Sequence, residues 1–300
     1  MTEPKHTRLH LAGTRPDPAA LLARAEEVIS SNLDHHPPPG ELPKNGQLRV
    51  GVDLGTAYTV LAVLDEHGAP LIGEYRFAQV VRDGLVVDFI GAVDLLREMK
   101  TRIEARLGRE LTHAASGFPP GVPQAERQST ANVVEAAGMA CRGLIDEPSA
   151  ANNILGMQAG AIVDIGGGTT GIAIIEDGEV VYTADEATGG THFSLVIAGA
   201  NDLSFEEAEA LKKDPAQQSR LFPIVRPVME KMGTIVERHL RGSSVKSIVL
   251  VGGTPLFPRI AEVIETVTGL PTQVVGHPLF VTPLGIAMHD NGAAHSNLRF

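Results

Sequence analysis

Two short turns of one design, one in each half of the chain, set the tightest limit on what it can fold into. The first is Asp53-Leu-Gly-Thr56, entered from Arg49-Val-Gly-Val52 and left by Thr59-Val-Leu-Ala-Val-Leu64. The second is Asp164-Ile-Gly-Gly-Gly-Thr-Thr170, entered from Ala161-Ile-Val163 and left by Gly171-Ile-Ala-Ile-Ile175. Each unit runs on to a further glycine turn, at Gly68 and Gly178, so the aspartates stand 111 positions apart and the glycines 110. Short apolar runs bounded by turn residues read as strands. One Asp-Gly turn punctuates many hairpins, but a duplicated one suggests two related half-molecules. Glycine lets backbone approach an anion closely, successive N–H groups in a tight turn form an anion site, and a nearby carboxylate suits Mg²⁺. Two such hairpins facing each other make a clamp for a polyphosphate and its metal ion.

Composition narrows the classes. The balance of 25 basic against 36 acidic residues gives a net charge of −11, which argues against nucleic acid and an anionic membrane surface as partners. The single cysteine, Cys141, leaves no internal disulfide and no multi-cysteine metal site. No apolar run approaches the roughly 18 residues of a membrane span, and no signal pattern opens the chain. The cytoplasm is the expected location. His35-His36 has no third ligand nearby, and neither a Gly-x-Ser-x-Gly nor a P-loop lysine motif occurs.

Residues 1–47 form an extension holding seven of the 20 prolines. Asp17 and Pro18 open a helix with Leu21, Leu22, Ala25, Val28, Ile29 and Leu33 on one face, and Pro37-Pro-Pro-Gly40 follows as a stiff linker. That helix either docks on its own domain, which is the expectation, or is offered to a partner groove. Residues 48–158 with 283–300 read as a first lobe. It holds a strand pair turning at Asp83-Gly84, a helix from about Gly91 to Leu107 and a loop at Ser116–Pro123. A helix over Gln124–Met139, a short strand at Leu144-Ile145 and a helix opened by Asp146-Glu147-Pro148 complete it. Residues 159–282 read as the second lobe. It has a strand at Glu179–Thr183, a capping box Ser204-x-x-Glu207, a helix stop at Asp214-Pro215 and a long helix from about Ile224 to Leu240. A buried strand Ser247–Val251 comes next, then a helix near Pro258 and a short strand at Gln273-Val-Val275, before a last helix starting at Pro283. Strands alternating with helices predict an α/β fold with mixed sheets, two related lobes and a cleft between them.

Five segments stand in one order: Asp53-Leu-Gly-Thr56, Glu147-Pro-Ser-Ala-Ala151, Asp164-Ile-Gly-Gly-Gly-Thr169, Leu250-Val-Gly-Gly-Thr254 and Pro283-Leu-Gly-Ile-Ala287. That order resembles the phosphate 1, connect 1, phosphate 2, adenosine and connect 2 motifs of the actin, sugar-kinase and heat-shock-chaperone ATPase superfamily. Val80-Val-Arg-Asp-Gly84, Asp88-Phe89, Gly91-Ala-Val93 and Ala184-Asp-Glu-Ala-Thr-Gly-Gly190 are similar to segments of its ethanolamine-utilisation chaperone-like branch. The resemblance implies a two-lobed actin-like ATPase fold with a shortened second lobe, binding ATP with Mg²⁺. Asp53, Glu147 and Asp164 would be the catalytic carboxylates, with Asp53 and Asp164 holding the metal through water and Glu147 orienting the attacking water. Backbone at Gly55, Thr56, Gly166, Gly167, Gly168 and Thr169 would cradle phosphates. Gly252 and Gly253 would lie along the nucleoside, and Glu209 and Lys212 would contact its ribose or base.

Plainer readings stand beside these. Glu147 could cap a helix, Gly252-Gly253 could be a simple strand-to-helix turn, and Glu209 with Lys212 could be a surface pair. Only Glu179 to Val249 is available for the second lobe's outer part, so one nucleoside wall is thin and weak ATP affinity is expected. Lys100 is the only lysine between Asp53 and Glu147, and its helix placement does not fit the chaperones' catalytic lysine. The resemblance implies a chaperone-like, slowly ATP-hydrolysing factor serving ethanolamine-utilisation enzymes or microcompartment components. The alternative is a scaffold that binds nucleotide without turnover or binds none. A sugar-kinase-like transferase lacks a candidate base, and an actin-like filament is disfavoured by the shortened lobe.

Overall fold

The computed structural model describes residues 17–31, 33, 42–82 and 85–290. The His35-His36 pair, the Pro37–Gly40 linker, the Asp83-Gly84 turn and the chain end read into the first lobe beyond residue 290 lie outside the described residues.

Helix α1 (Pro18–Val28) is capped by Asp17, whose carboxylate accepts from Ala19 N. It leads into a two-residue strand β1 (Ile29–Ser30). Strands β2 (Arg49–Leu54), β3 (Tyr58–Leu64) and β4 (Pro70–Phe77) follow, then the small pair β5 (Val81–Arg82) and β6 (Leu85–Val86). Helix α2 (Phe89–Leu107) buries Val93, Leu96, Met99, Ile103 and Leu107, the expected stripe, and ends at Gly108 with φ +67°. Strand β7 (His113–Phe118), helix α3 (Gln124–Ala136), strand β8 (Ala140–Asp146) and helix α4 (Glu147–Leu155) complete this half. The expected loop at Ser116–Phe118 is therefore the end of a strand, with Ser116 paired to Val52 on one side and Leu144 on the other.

The second half runs β9 (Ala159–Ile165), β10 (Thr170–Glu176), β11 (Glu179–Glu186), α5 (Thr191–Asn201), α6 (Phe205–Lys213) and α7 (Pro215–Leu240). It continues through β12 (Ile248–Val251), α8 (Ile260–Thr268), β13 (Thr272–Val274) and α9 (Val281–His289). The capping box at Ser204 and Glu207 forms as expected. The long helix starts nine residues earlier than expected, at Pro215, and passes through Pro223 and Pro227. Leu221, Val225, Met229, Met232 and Val236 are buried along it, and this packing outweighs two missing backbone donors. Asp214 ends α6 and caps α7 in the same position.

The two sheets repeat one topology. In the first the order is β1-β4-β3-β2-β7-β8, in the second β11-β10-β9-β12-β13. Leaving β1 aside, each has three antiparallel strands followed by two parallel ones, with the Asp-bearing strand (β2 or β9) at the change of direction. Each aspartate stands next to the carboxyl end of its strand, the end at which open α/β sheets bind their ligands. Helices α4 and α9 cross between the sheets so closely that a Cβ on Gly285 would lie 1.9 Å from Ala150 O. A shared core there joins Val60, Ala151, Ile162, Ala173, Val251 and Leu284.

The N-terminal helix docks on its own molecule. Leu21, Leu22, Ala25 and Val28 are buried, Ile29 pairs with Gly73, and a Cβ on Gly73 would lie 2.9 Å from Ile29 Cγ1. Glu26 also faces His277 at 3.2 Å.

Candidate functional site

Both Asp-Gly turns are closed by the same hydrogen bond. Gly55 N donates to Tyr58 O and Gly166 N to Thr169 O, each at 3.0 Å. A side chain at Gly55 would strike Tyr58 O at 2.7 Å. The turns face each other in contact. A Cβ on Gly167 would lie 2.5 Å from the Ala57 Cβ, and one on Gly168 would lie 2.7 Å from Thr56 Oγ1.

A second layer holds the glycine turn from behind. Gly190 N and Thr254 Oγ1 donate to Gly166 O at 2.9 and 2.7 Å, and Thr191 N donates to Gly167 O at 2.8 Å. Thr170 Oγ1 donates to Thr188 O at 2.6 Å. The carbonyls of Gly166, Gly167 and Thr169 are thus engaged, whereas among the described residues no acceptor takes the N–H groups of Gly167, Gly168 or Thr169. These residues line a cleft of about 390 Å³ together with Asp53, Thr56, Glu147, Asp164, Gly252 and Gly253. That is the size range of small-molecule sites.

The three carboxylates come from three elements. Asp53 is the penultimate residue of β2, Asp164 that of β9, and Glu147 the first of α4. Glu147 does not cap its helix, because Asp146 does, accepting from Ser149 N at 3.0 Å. Thr282 Oγ1 donates to Asp164 Oδ2 at 2.7 Å. Gly252, at φ +91°, lets the adjoining backbone come so near that a Cβ would lie 2.4 Å from Asp164 Oδ1. Desolvation, then Asp164, pushes the Asp53 carboxyl up to about 7. Desolvation, then Asp53 and Asp164, pushes Glu147 well above its ordinary value. Desolvation raises Asp164 against the lowering effect of Thr282.

This is an oxygen-rich pocket of three crowded carboxyls, whose charged forms a hard divalent cation would favour. Among the described residues no group of three His, Cys, Asp or Glu side chains is placed to hold a metal ion. Carboxylate oxygens such as those of Asp53 and Asp164 are the ligand type that magnesium takes, an ion that usually keeps several of its waters.

The pH dependence follows. Asp53 binds its proton more tightly in the folded chain, so its contribution to stability is full below about pH 4 and is lost as the pH rises through about 7. In metal-free buffer the protein is expected to lose on the order of 2 kcal/mol between about pH 5 and pH 8. Asp53→Asn should flatten the dependence; parallel thermal-unfolding profiles for the two proteins would refute it.

Glu209 and Lys212 are not a surface pair. Glu209 is buried, and Lys212 Nζ reaches Glu209 Oε2 at 2.6 Å, Ser194 Oγ at 3.0 Å and Gly190 O at 3.1 Å. Both residues line the cleft. Lys100 instead pairs with Glu104 on α2 at 2.7 Å. Sequence reasoning missed Tyr58, Thr254, Thr282 and Lys213, all of which line the cleft. Lys213 carried a weak signal as the neighbour of Lys212. Thr282 carried none, lying 118 positions from the aspartate it holds.

Two sheets of one strand order, each giving an Asp-Gly turn to a shared cleft, define an actin-like ATPase fold. MreB5 of Spiroplasma citri bound to AMPPNP shares that fold, with TM-score 0.67 and 18% identity, covering 83% of this chain and 97% of that one. The chain belongs to the family of the ethanolamine utilization protein EutJ. It is 44% identical over 241 residues to EutJ of Escherichia coli K12, covering 80% of this chain and 85% of that protein. The crystal structure of EutJ from Carboxydothermus hydrogenoformans matches with TM-score 0.78 and 47% identity, covering 82% of this chain and 91% of that one. A family model described as type IV pilus assembly protein PilM matches residues 136–282. No helix among the described residues is long and apolar enough to cross a membrane.

Proposed function

We propose that this chain is a magnesium-dependent ATP-binding factor of the ethanolamine-utilisation system that hydrolyses ATP slowly. It would act in a chaperone-like way on the assembly or upkeep of that system's enzymes or microcompartment components. The observation that carries the reading is the row of free N–H groups at Gly167, Gly168 and Thr169, facing a cleft they share with Asp53, Glu147 and Asp164. Anion donors and cation-binding carboxylates in one cleft match a metal-bound polyphosphate.

In this reading the backbone of Gly55, Thr56, Gly166, Gly167, Gly168 and Thr169 receives the phosphates. Asp53 and Asp164 would hold Mg²⁺ through water, and the ion supplies charge neutralisation. Glu147 would accept a hydrogen bond from the attacking water and so orient it. Gly252 and Gly253 would bed the nucleoside, with Glu209 and Lys212 walling its sugar side. Positioning and neutralisation are most of what phosphoryl transfer asks of a protein.

The wall beyond β11 consists of α5, α6 and the start of α7, with no further subdomain before β12. Calorimetry with Mg-ATP is therefore expected to give a dissociation constant of roughly 10–100 µM. A value of about 1 µM or tighter would contradict the thin wall. A second reading, a scaffold without useful turnover, draws support from the contact of Gly167 with Ala57 and of Gly168 with Thr56, which leaves little room between the turns. Phosphate release with Mg-ATP separates the two: turnover above the rate without protein favours the first, silence the second.

A further inference from the structure

Lys213 is the last residue of α6, at the edge of the cleft. Its ammonium lies 5.1 Å from the centre of the Tyr58 ring and 4.9 Å from that of Phe77. Those rings belong to β3 and β4 of the first sheet, whereas α6 packs with α5 and α7 on the second. The side chain therefore crosses from one half of the molecule to the other.

The ammonium is held from both halves. Lys213 Nζ sits 3.2 Å from Glu209 Oε1, and the other oxygen of Glu209 accepts from Lys212 Nζ at 2.6 Å and Ser194 Oγ at 2.5 Å. On the far side Tyr58 meets Phe77 and Tyr75 edge-on, with ring centres 5.8 and 5.6 Å apart. Ala78 N, next to Phe77, donates to Ala57 O at 3.1 Å. Ala57 lies in the turn that Gly167 and Gly168 touch. Burial works to lower the Lys213 amine, but the Tyr58 hydroxyl and Glu209 outweigh it and the net direction is up, so the group stays a cation at neutral pH.

We propose that Lys213 is a latch between the halves, holding the Thr56-Ala57 turn against the Gly167-Gly168 turn and so setting how fast nucleotide leaves the cleft. The nucleotide part rests on the ATP-binding reading above; the latch itself does not. Cation–π contacts of this length are modest one by one, and Lys213 makes two of them while anchored on Glu209. A lysine that merely covered Phe77 would matter for local packing and leave the opposed turns undisturbed.

The test compares Lys213→Met, which keeps length and loses charge, with Lys213→Arg, which keeps the cation. Release of a fluorescent, N-methylanthraniloyl-labelled ADP in Mg²⁺ is followed after mixing with excess ATP. Lys213→Met is expected to speed release about tenfold and Lys213→Arg to stay within about twofold of the parent. Phe77→Leu, which removes one ring from the other side, should also speed release, and adding it to Lys213→Met should bring little more. Equal release from parent and Lys213→Met, or full additivity of the pair, overturns the latch. Hydrogen exchange without nucleotide gives a second, independent reading. The Ala78 amide should exchange about tenfold faster in Lys213→Met, and unchanged exchange there overturns the latch. If the parent binds no labelled ADP, the ATP reading fails while the exchange comparison still decides the latch.

Discussion

Asp164→Ala is expected to weaken magnesium-dependent nucleotide binding by about 100-fold, the scale on which loss of a metal-orienting group acts. Asp164 is held from two sides, by the Thr282 hydroxyl at 2.7 Å and by the close backbone at Gly252. Its position is therefore set before anything binds. Asp164→Asn keeps an acceptor for Thr282 and loses only the charge, so an equal loss in both variants would assign the effect to charge. Stability is expected to move the other way. Asp164 is one of the charges that raise Asp53 and Glu147, and removing it relieves repulsion. A protein that melts higher while binding less would carry the mark of a functional site kept at a cost in stability. Calorimetry with Mg-ATP measures the first effect and thermal unfolding the second. Undiminished binding in Asp164→Ala would remove the aspartate from the site.

The second large effect concerns folding. Gly285→Ala should destabilise the protein by about 3 kcal/mol. Alanine in place of helical glycine gains up to about 1 kcal/mol in propensity. Against that, the new methyl would sit 1.9 Å from Ala150 O and 2.4 Å from its carbonyl carbon. These are backbone atoms of α4, so no side-chain rotation relieves the overlap, and overpacking of this kind costs about 1–3 kcal/mol or more. Gly199→Ala on α5 is the control. Its Cβ would meet nothing within 4 Å, and a gain of about 0.5–1 kcal/mol is expected from the same change. Urea unfolding of the two variants should show opposite signs.

Features with local causes were legible in the sequence. The paired Asp-Gly turns, the Asp17 and Ser204 caps and the buried stripe of α2 each follow from residues within a few positions of one another. The five ordered segments then placed most of the cleft. Other elements obey distant partners. Strand β4 went unread because Gly73, Glu74 and Arg76 break its pattern. Gly73 makes room for Ile29, and Glu74 is buried against Arg76 and Arg102. Helix α5 was unread as well, since its N-terminus is built on the backbone of the glycine turn. The start of α7 was hidden by Pro223 and Pro227. The hold of Thr282 on Asp164 exists only once segments 118 positions apart meet, and that of Lys213 on Tyr58 only once the two halves do.

Those two prolines have a mechanical consequence. Proline brings no amide hydrogen, so α7 has two missing rungs four residues apart, at 223 and 227. Before them the helix continues from Asp214, the residue that also ends α6. After them Met229, Met232 and Val236 seat it against the second sheet. With those rungs missing, α7 keeps its line through the apolar seats of Leu221 and Val225 in front and of Met229, Met232 and Val236 behind, so loosening that seat would bend the helix first at the prolines.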